Sequence, residues 1–118
     1  MGKLLGYIIL GIVLIGALSY FLATQPGEHD EFAKCITEND ATMFGAYWCP
    51  HCTAQKEMFG KSVKLLNYVE CSLPNRGGET EVCKVANIES YPTWEIKGVR
   101  HPGTQQLSTL SHLTGCPL

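Results

Sequence analysis

Basic residues never run together in this sequence: its 9 Lys and Arg are scattered among 11 Asp and Glu, for a formal net charge of -2. Without a basic tract to neutralise a phosphate backbone, nucleic acid is not expected as a partner. No internal repeat or low-complexity tract appears outside one apolar stretch. Length is short as well. Of 118 residues, the stretch Leu4 to Ala23 is uncharged, and what remains is one small domain, too little for a multidomain enzyme or a large cofactor-binding fold. Cysteine, by contrast, is abundant, with 6 in so short a chain. Cysteines in that density behind an apolar segment point to an oxidising, extracytoplasmic compartment, and redox chemistry is the leading expectation.

At about 1.5 Å per residue, the Leu4 to Ala23 stretch as a helix spans about 30 Å, the thickness of a hydrocarbon core. Lys3 and the amino terminus precede it while Glu28, Asp30 and Glu31 follow, so the positive-inside bias places the N-terminus in the cytoplasm and the rest outside. A cleaved signal peptide is the competing reading, with Ala17-Leu18-Ser19 as a small-x-small site, but the apolar run continues through Tyr20, Phe21 and Leu22. The expected organisation is a transmembrane anchor over 1–24, a linker over 25–29 marked by Gln25-Pro26-Gly27, and a globular domain over 30–118. So short a linker holds the domain close to the membrane surface.

Phe32, Cys35 and Ile36 fall at helical spacing, and Thr42 to Tyr47 then reads as a short buried strand. Pro50 suits the first position of a new helix with Ala54, Met58 and Phe59 on its apolar face, breaking near Gly60. A helical turn is expected around Val63 to Leu66, a second strand over Asn67 to Cys71, a loop over Pro74 to Gly78 and a short helix over Thr80 to Ala86. Thr93 to Ile96 and Val99 to His101 form a hairpin around Lys97-Gly98, and Gln106 to Leu113 closes the chain as a helix. Two strands joined through a helix are expected to be parallel, and the hairpin adds two antiparallel strands, giving an α/β domain with a mixed four-stranded sheet covered by helices on both faces.

Cys49-Pro50-His51-Cys52 lies at the strand-to-helix junction. Two cysteines separated by two residues at a helix start can close a small disulfide loop. The unsatisfied N–H groups and the dipole at that helix end stabilise an anion, so Cys49 is expected to be the attacking sulfur with a lowered thiol pKa, and Cys52, one turn inside, the more buried resolving thiol. A positive charge on His51 near the Cys49 thiolate would stabilise the reduced form and make the disulfide a stronger oxidant. Metal binding is the rival reading. Cys49, Cys52, Cys71 and Cys83 begin with the spacing of a zinc ribbon, but the second pair lacks its close spacing. A copper carrier would want a mobile loop where Trp48 and Pro50 build a rigid helix start.

Trp48-Cys49-Pro50-His51-Cys52 after an apolar strand, together with Tyr91-Pro92-Thr93 before a hairpin, resembles the thioredoxin superfamily. More closely, Gly45 to Cys52, the Asn67-Tyr68-Val69-Glu70-Cys71 strand and Tyr91-Pro92-Thr93-Trp94 are similar to the thioredoxin-like domain attached to bacterial vitamin K epoxide reductase homologues. The resemblance covers roughly Glu31 to Gly115 and implies a thioredoxin-like fold. It implies a cis Tyr91–Pro92 bond lying against the redox pair, with Tyr91 and Pro92 pairing to an extended substrate segment and Trp48, Pro50 and His51 supporting Cys49 and Cys52. It also favours a structural disulfide between Cys71 and Cys83, two free thiols being the alternative. Cys35 and Cys116 stay open: an oxidising compartment favours joining them, whereas first and last helices on opposite faces of the sheet would keep them apart.

Two departures bear on function. Many thioredoxins carry a buried acid six positions before the first cysteine, able to move protons to and from the second; here that position is Met43, which argues against efficient reductase activity. The first strand of a full thioredoxin is missing, as is the multi-helix quinone-reducing part of the fused homologues. Glu57 and Glu70 could act as proton carriers but are read as solvated charge, His29, His101 and His112 as surface residues, and Trp94 as a sheet residue packed on a helix. The resemblance thus implies a membrane-anchored, extracytoplasmic thiol-disulfide oxidoreductase, oxidative in direction because Pro50-His51 resembles the dipeptide of strongly oxidising disulfide-forming proteins. It needs no metal or organic cofactor, acts on secreted or membrane protein thiols, and takes a quinone-linked vitamin K epoxide reductase-like membrane enzyme as partner. The rival is a non-catalytic binding module whose Cys49–Cys52 pair is a permanent structural disulfide.

Overall fold

A computed structural model describes residues 1–118. Helix α1 (Gly2–Ala23) carries one charge, Lys3, ahead of an uncharged run and buries none of its residues against the rest of the chain; it is long and apolar enough to cross a bilayer. There follow α2 (Asp30–Glu38), β1 (Ala41–Gly45), α3 (Pro50–Phe59), a 3-10 segment (Gly60–Leu65), β2 (Tyr68–Glu70), a 3-10 turn (Pro74–Arg76), α4 (Glu81–Ala86), β3 (Thr93–Ile96), β4 (Val99–Pro102) and α5 (Leu107–Thr114). The four strands form one mixed sheet in the order β2-β1-β3-β4, with β1 parallel to β2 and antiparallel to β3. This α/β arrangement is a thioredoxin-like fold.

Alternation along the strands divides the core. Ala41 and Met43 of β1, with Trp94 and Ile96 of β3, meet Phe32, Ala33 and Ile36 of α2, Cys52 and Phe59 of α3 and Leu110 of α5. Phe59 stacks on Phe32 at 6.0 Å between ring centroids and tilts against Trp94 at 6.2 Å. Each such ring contributes about 2–3 kcal/mol on burial. Phe44, one residue along β1, points to the opposite face, where Cys71, Cys83 and Ile88 enclose it beside α4.

The strand expected to reach Tyr47 ends at Gly45, because Cys49 N donates to the Ala46 carbonyl at 3.1 Å and turns the chain into α3. The Pro74 to Gly78 loop contains one 3-10 turn. A larger correction concerns the first and last helices, which were expected on opposite faces. Both α2 and α5 pack on the Met43 and Trp94 face, and Cys35 is disulfide-bonded to Cys116 with Cα atoms 5.9 Å apart. The handedness rule that sorts helices between faces governs helices linking two strands of a sheet. Helix α2 enters from the linker and has no strand before it, so its own apolar stripe of Phe32, Ala33 and Ile36 decides where it packs.

The linker is fastened to the segment after α3. His29 N donates to the Ser62 hydroxyl at 3.0 Å, and Lys61 Nζ donates to the Leu22 carbonyl in the last turn of α1 at 2.8 Å. Gly27 lies so close that a Cβ there would stand 2.8 Å from Ser62 N.

Candidate active site

Strand β1 delivers the chain to the site and α3 begins there. Cys49 caps the helix with extended backbone angles, Pro50 opens it without needing a hydrogen bond to its nitrogen, and the Cys49 carbonyl accepts from Thr53 N at 3.1 Å. Cys49 is 6% exposed and Cys52 is 1% exposed. Both are free thiols. The Cys49 thiol faces the Tyr91 carbonyl at 3.7 Å, and the Tyr91–Pro92 peptide is cis. Trp48, partly exposed, packs edge-on against Tyr91 at 6.1 Å and donates from Nε1 to the Ser72 hydroxyl at 2.7 Å, while the Arg76 guanidinium lies over its ring at 5.1 Å. Trp48, Cys49, Cys52, Tyr91 and Pro92 thus converge. The His51 side chain is exposed, and its carbonyl accepts from the Thr104 hydroxyl at 3.4 Å.

Cys71 and Cys83 are bonded to each other, wholly buried, with Cα atoms 5.4 Å apart. Their bridge closes the loop carrying Ser72 and Arg76, the two residues that hold Trp48. It also removes two of the four sulfurs that the zinc reading required.

Burial pushes the Cys52 thiol up to about 11. The neighbouring Cys49 adds to that rise, while Ala46 on the backbone and the Lys56 charge oppose it. Tyr68 is raised above the ordinary phenol range by burial first, then by its bond to Glu70. Tyr91 is raised by burial, with Glu79 and Glu70 adding to it.

Two side chains near the thiols, Gln55 and Tyr68, were given no role in the sequence reading. Gln55, wholly buried one turn beyond Cys52, accepts from Trp94 Nε1 at 2.9 Å and Gln105 N at 2.7 Å and donates to the Gln105 carbonyl at 3.0 Å. Tyr68 donates its hydroxyl to Glu70. Glu70 is no solvated charge: its carboxylate also accepts from Tyr47 N at 2.9 Å and Ser72 N at 3.2 Å. Two-residue spacing on a strand already puts Tyr68 and Glu70 on one face, a signal available in the sequence.

No family model matches this chain. Over 90 residues it is 42% identical to thiol-disulfide oxidoreductase LTO1 of Arabidopsis thaliana, a match taking in 73% of this chain. The similarity is to a redox protein. The matched region is 24% of the plant protein's length, so the chain corresponds to about a quarter of that relative.

Proposed function

We propose that this chain is a membrane-anchored thiol-disulfide oxidoreductase, disulfide-forming in direction, with Cys49 and Cys52 as its redox pair. The observation that carries the reading is the pair of free thiols at the start of α3, beside the Tyr91 carbonyl, in a chain whose other four cysteines are bonded. The name of the plant relative supports it. In the oxidised state a substrate thiolate attacks the Cys49 sulfur, Cys52 leaves, and a second substrate thiolate displaces Cys49, so the substrate gains a disulfide and the pair ends as two thiols. Tyr91 and Pro92 offer backbone to an extended substrate segment, Trp48 walls the site, and Pro50 and His51 tune it.

Residues 1–24 serve as a single-pass anchor with a cytoplasmic N-terminus, 25–29 as the linker, and 30–118 as the extracytoplasmic domain. The substrates are thiols of secreted or membrane proteins, and a quinone-linked, vitamin K epoxide reductase-like membrane enzyme reoxidises the pair. The length of α1 and the charge asymmetry around it support the anchor.

Replacing Cys52 by Ser should trap mixed disulfides through Cys49, whereas Cys49→Ser should trap few. Equal trapping by both variants, or none by either, would overturn the division of labour. A reduction potential below about -300 mV for the pair would instead indicate a permanent structural disulfide.

A further inference from the structure

We propose that Tyr68 and Glu70 form a proton relay for Cys52, standing where this chain lacks an acid at Met43; the inference rests on the oxidoreductase reading above. Its basis is a shared gap beside Gly45. Where a Cβ would stand at Gly45, the nearest atoms are Cys52 Sγ at 3.0 Å, Tyr68 Cε2 at 3.0 Å and the Tyr68 hydroxyl at 3.3 Å. The thiol, from α3, and the phenol, from β2, therefore border the same spot, which only a glycine leaves open. Register fixes the arrangement, since β1 pairs Met43 with Tyr68 and Gly45 with Glu70.

From that spot the path continues outward. The Tyr68 hydroxyl donates to one Glu70 oxygen, and the other oxygen is anchored by Tyr47 N and Ser72 N at the partly exposed end of β2. The Lys56 ammonium lies over the Tyr68 ring at 3.7 Å. The titratable groups around the relay are thus Cys49 at the cap of α3, Cys52 and Lys56 within it, Glu70 from β2, and Tyr91 before β3, which feels Cys52, Glu70 and Glu79.

The chemistry needs such a path. With Cys52 pushed up to about 11, roughly one thiol in ten thousand ionises unaided at pH 7. When Cys52 resolves a mixed disulfide on Cys49, its S–H proton passes to the Tyr68 oxygen as the Tyr68 proton passes to Glu70. The Cys52 electron pair forms the bond to Cys49 sulfur, and the bond from Cys49 to the substrate sulfur breaks, releasing a thiolate. Disulfide donation runs the same path backwards, protonating Cys52 as it leaves. Tyr68 stays a neutral phenol throughout, consistent with its raised pKa.

The test uses the full-length reduced chain in detergent, mixed with the chromogenic disulfide 5,5′-dithiobis(2-nitrobenzoate). Attack by Cys49 releases one thionitrobenzoate, and closure by Cys52 releases a second. Tyr68→Phe and Glu70→Gln should each slow the second release about tenfold or more at pH 7 while leaving the first nearly unchanged. The deficit should shrink as pH rises and Cys52 ionises by itself. Glu70→Gln keeps the size of the side chain and an acceptor for Tyr68, so it tests the proton rather than the packing. Wild-type second-phase rates in both variants, or slowing that is the same at every pH, would overturn the relay and leave the oxidoreductase reading standing. A wild-type chain with no second release would overturn that reading itself.

Discussion

Burial keeps the Cys52 thiol protonated to about pH 11, against 9.0 for an ordinary thiol, so between those values the folded reduced protein holds a proton that the unfolded chain has lost. Stability of the reduced form is therefore complete below pH 9 and falls as pH rises through 11, by roughly 3 kcal/mol at most. The oxidised form has no such thiol. Melting temperatures of both forms across pH 8 to 11 should diverge, the reduced form falling faster, and parallel curves would show that Cys52 titrates normally. In the proposed redox site an exposed His51 could act on Cys49 only through its charge. A cation beside the Cys49 thiolate favours the reduced pair, so His51→Ala should lower the reduction potential. Solvent screening keeps the effect small, on the order of 10–30 mV where ~30 mV corresponds to ~1.4 kcal/mol. A potential that stays the same in redox buffer titration would remove His51 from the tuning of the site.

At the scale of elements, α3 is held in place by one buried amide. Gln55 satisfies Trp94 Nε1 on β3 and both backbone groups of Gln105 in the segment leading to α5. Gln55→Leu would leave all three without a partner, at about 1–3 kcal/mol each. Urea unfolding should show a loss of about 3 kcal/mol or more; a loss under 1 kcal/mol would mean that water replaces the amide. The strands, the hairpin and α3 were legible in the sequence because each carries a local signal: alternating apolar residues, Lys97-Gly98 between two strands, Pro50 at a helix start. The Cys49-Pro50-His51-Cys52 motif likewise marked the candidate site. Gln55 and the Cys35–Cys116 bridge were not, since each depends on which segments meet across the core. Nothing local distinguishes a glutamine that clamps three groups from one in solvent, and the face taken by α2 follows from packing rather than from its spacing.

On the scale of the whole molecule, the position of α1 relative to the thiols bears on how the proposed redox pair would be reoxidised. Cys49 sits at one end of α3, while Lys61, just past the other end, grips the last turn of α1. The ten residues of α3 separate them by roughly 15 Å. The linker does not swing freely, because Gly27 and His29 rest on Ser62, so the thiols are carried at a set height above the end of the apolar helix. A membrane partner confined to the same surface would meet them at high effective concentration, and weak contacts would suffice. Cutting a protease site introduced between residues 25 and 29, after the protein has folded in its membrane, should then slow reoxidation of Cys49 and Cys52 by about tenfold or more and leave thiol exchange with small disulfides unchanged. Inserting about 20 Gly and Ser residues at the same place should give an intermediate rate, since effective concentration falls with tether length. Reoxidation as fast in the released domain as in the anchored chain, together with Cys52→Ser adducts containing only soluble secreted proteins, would rule out the membrane partner.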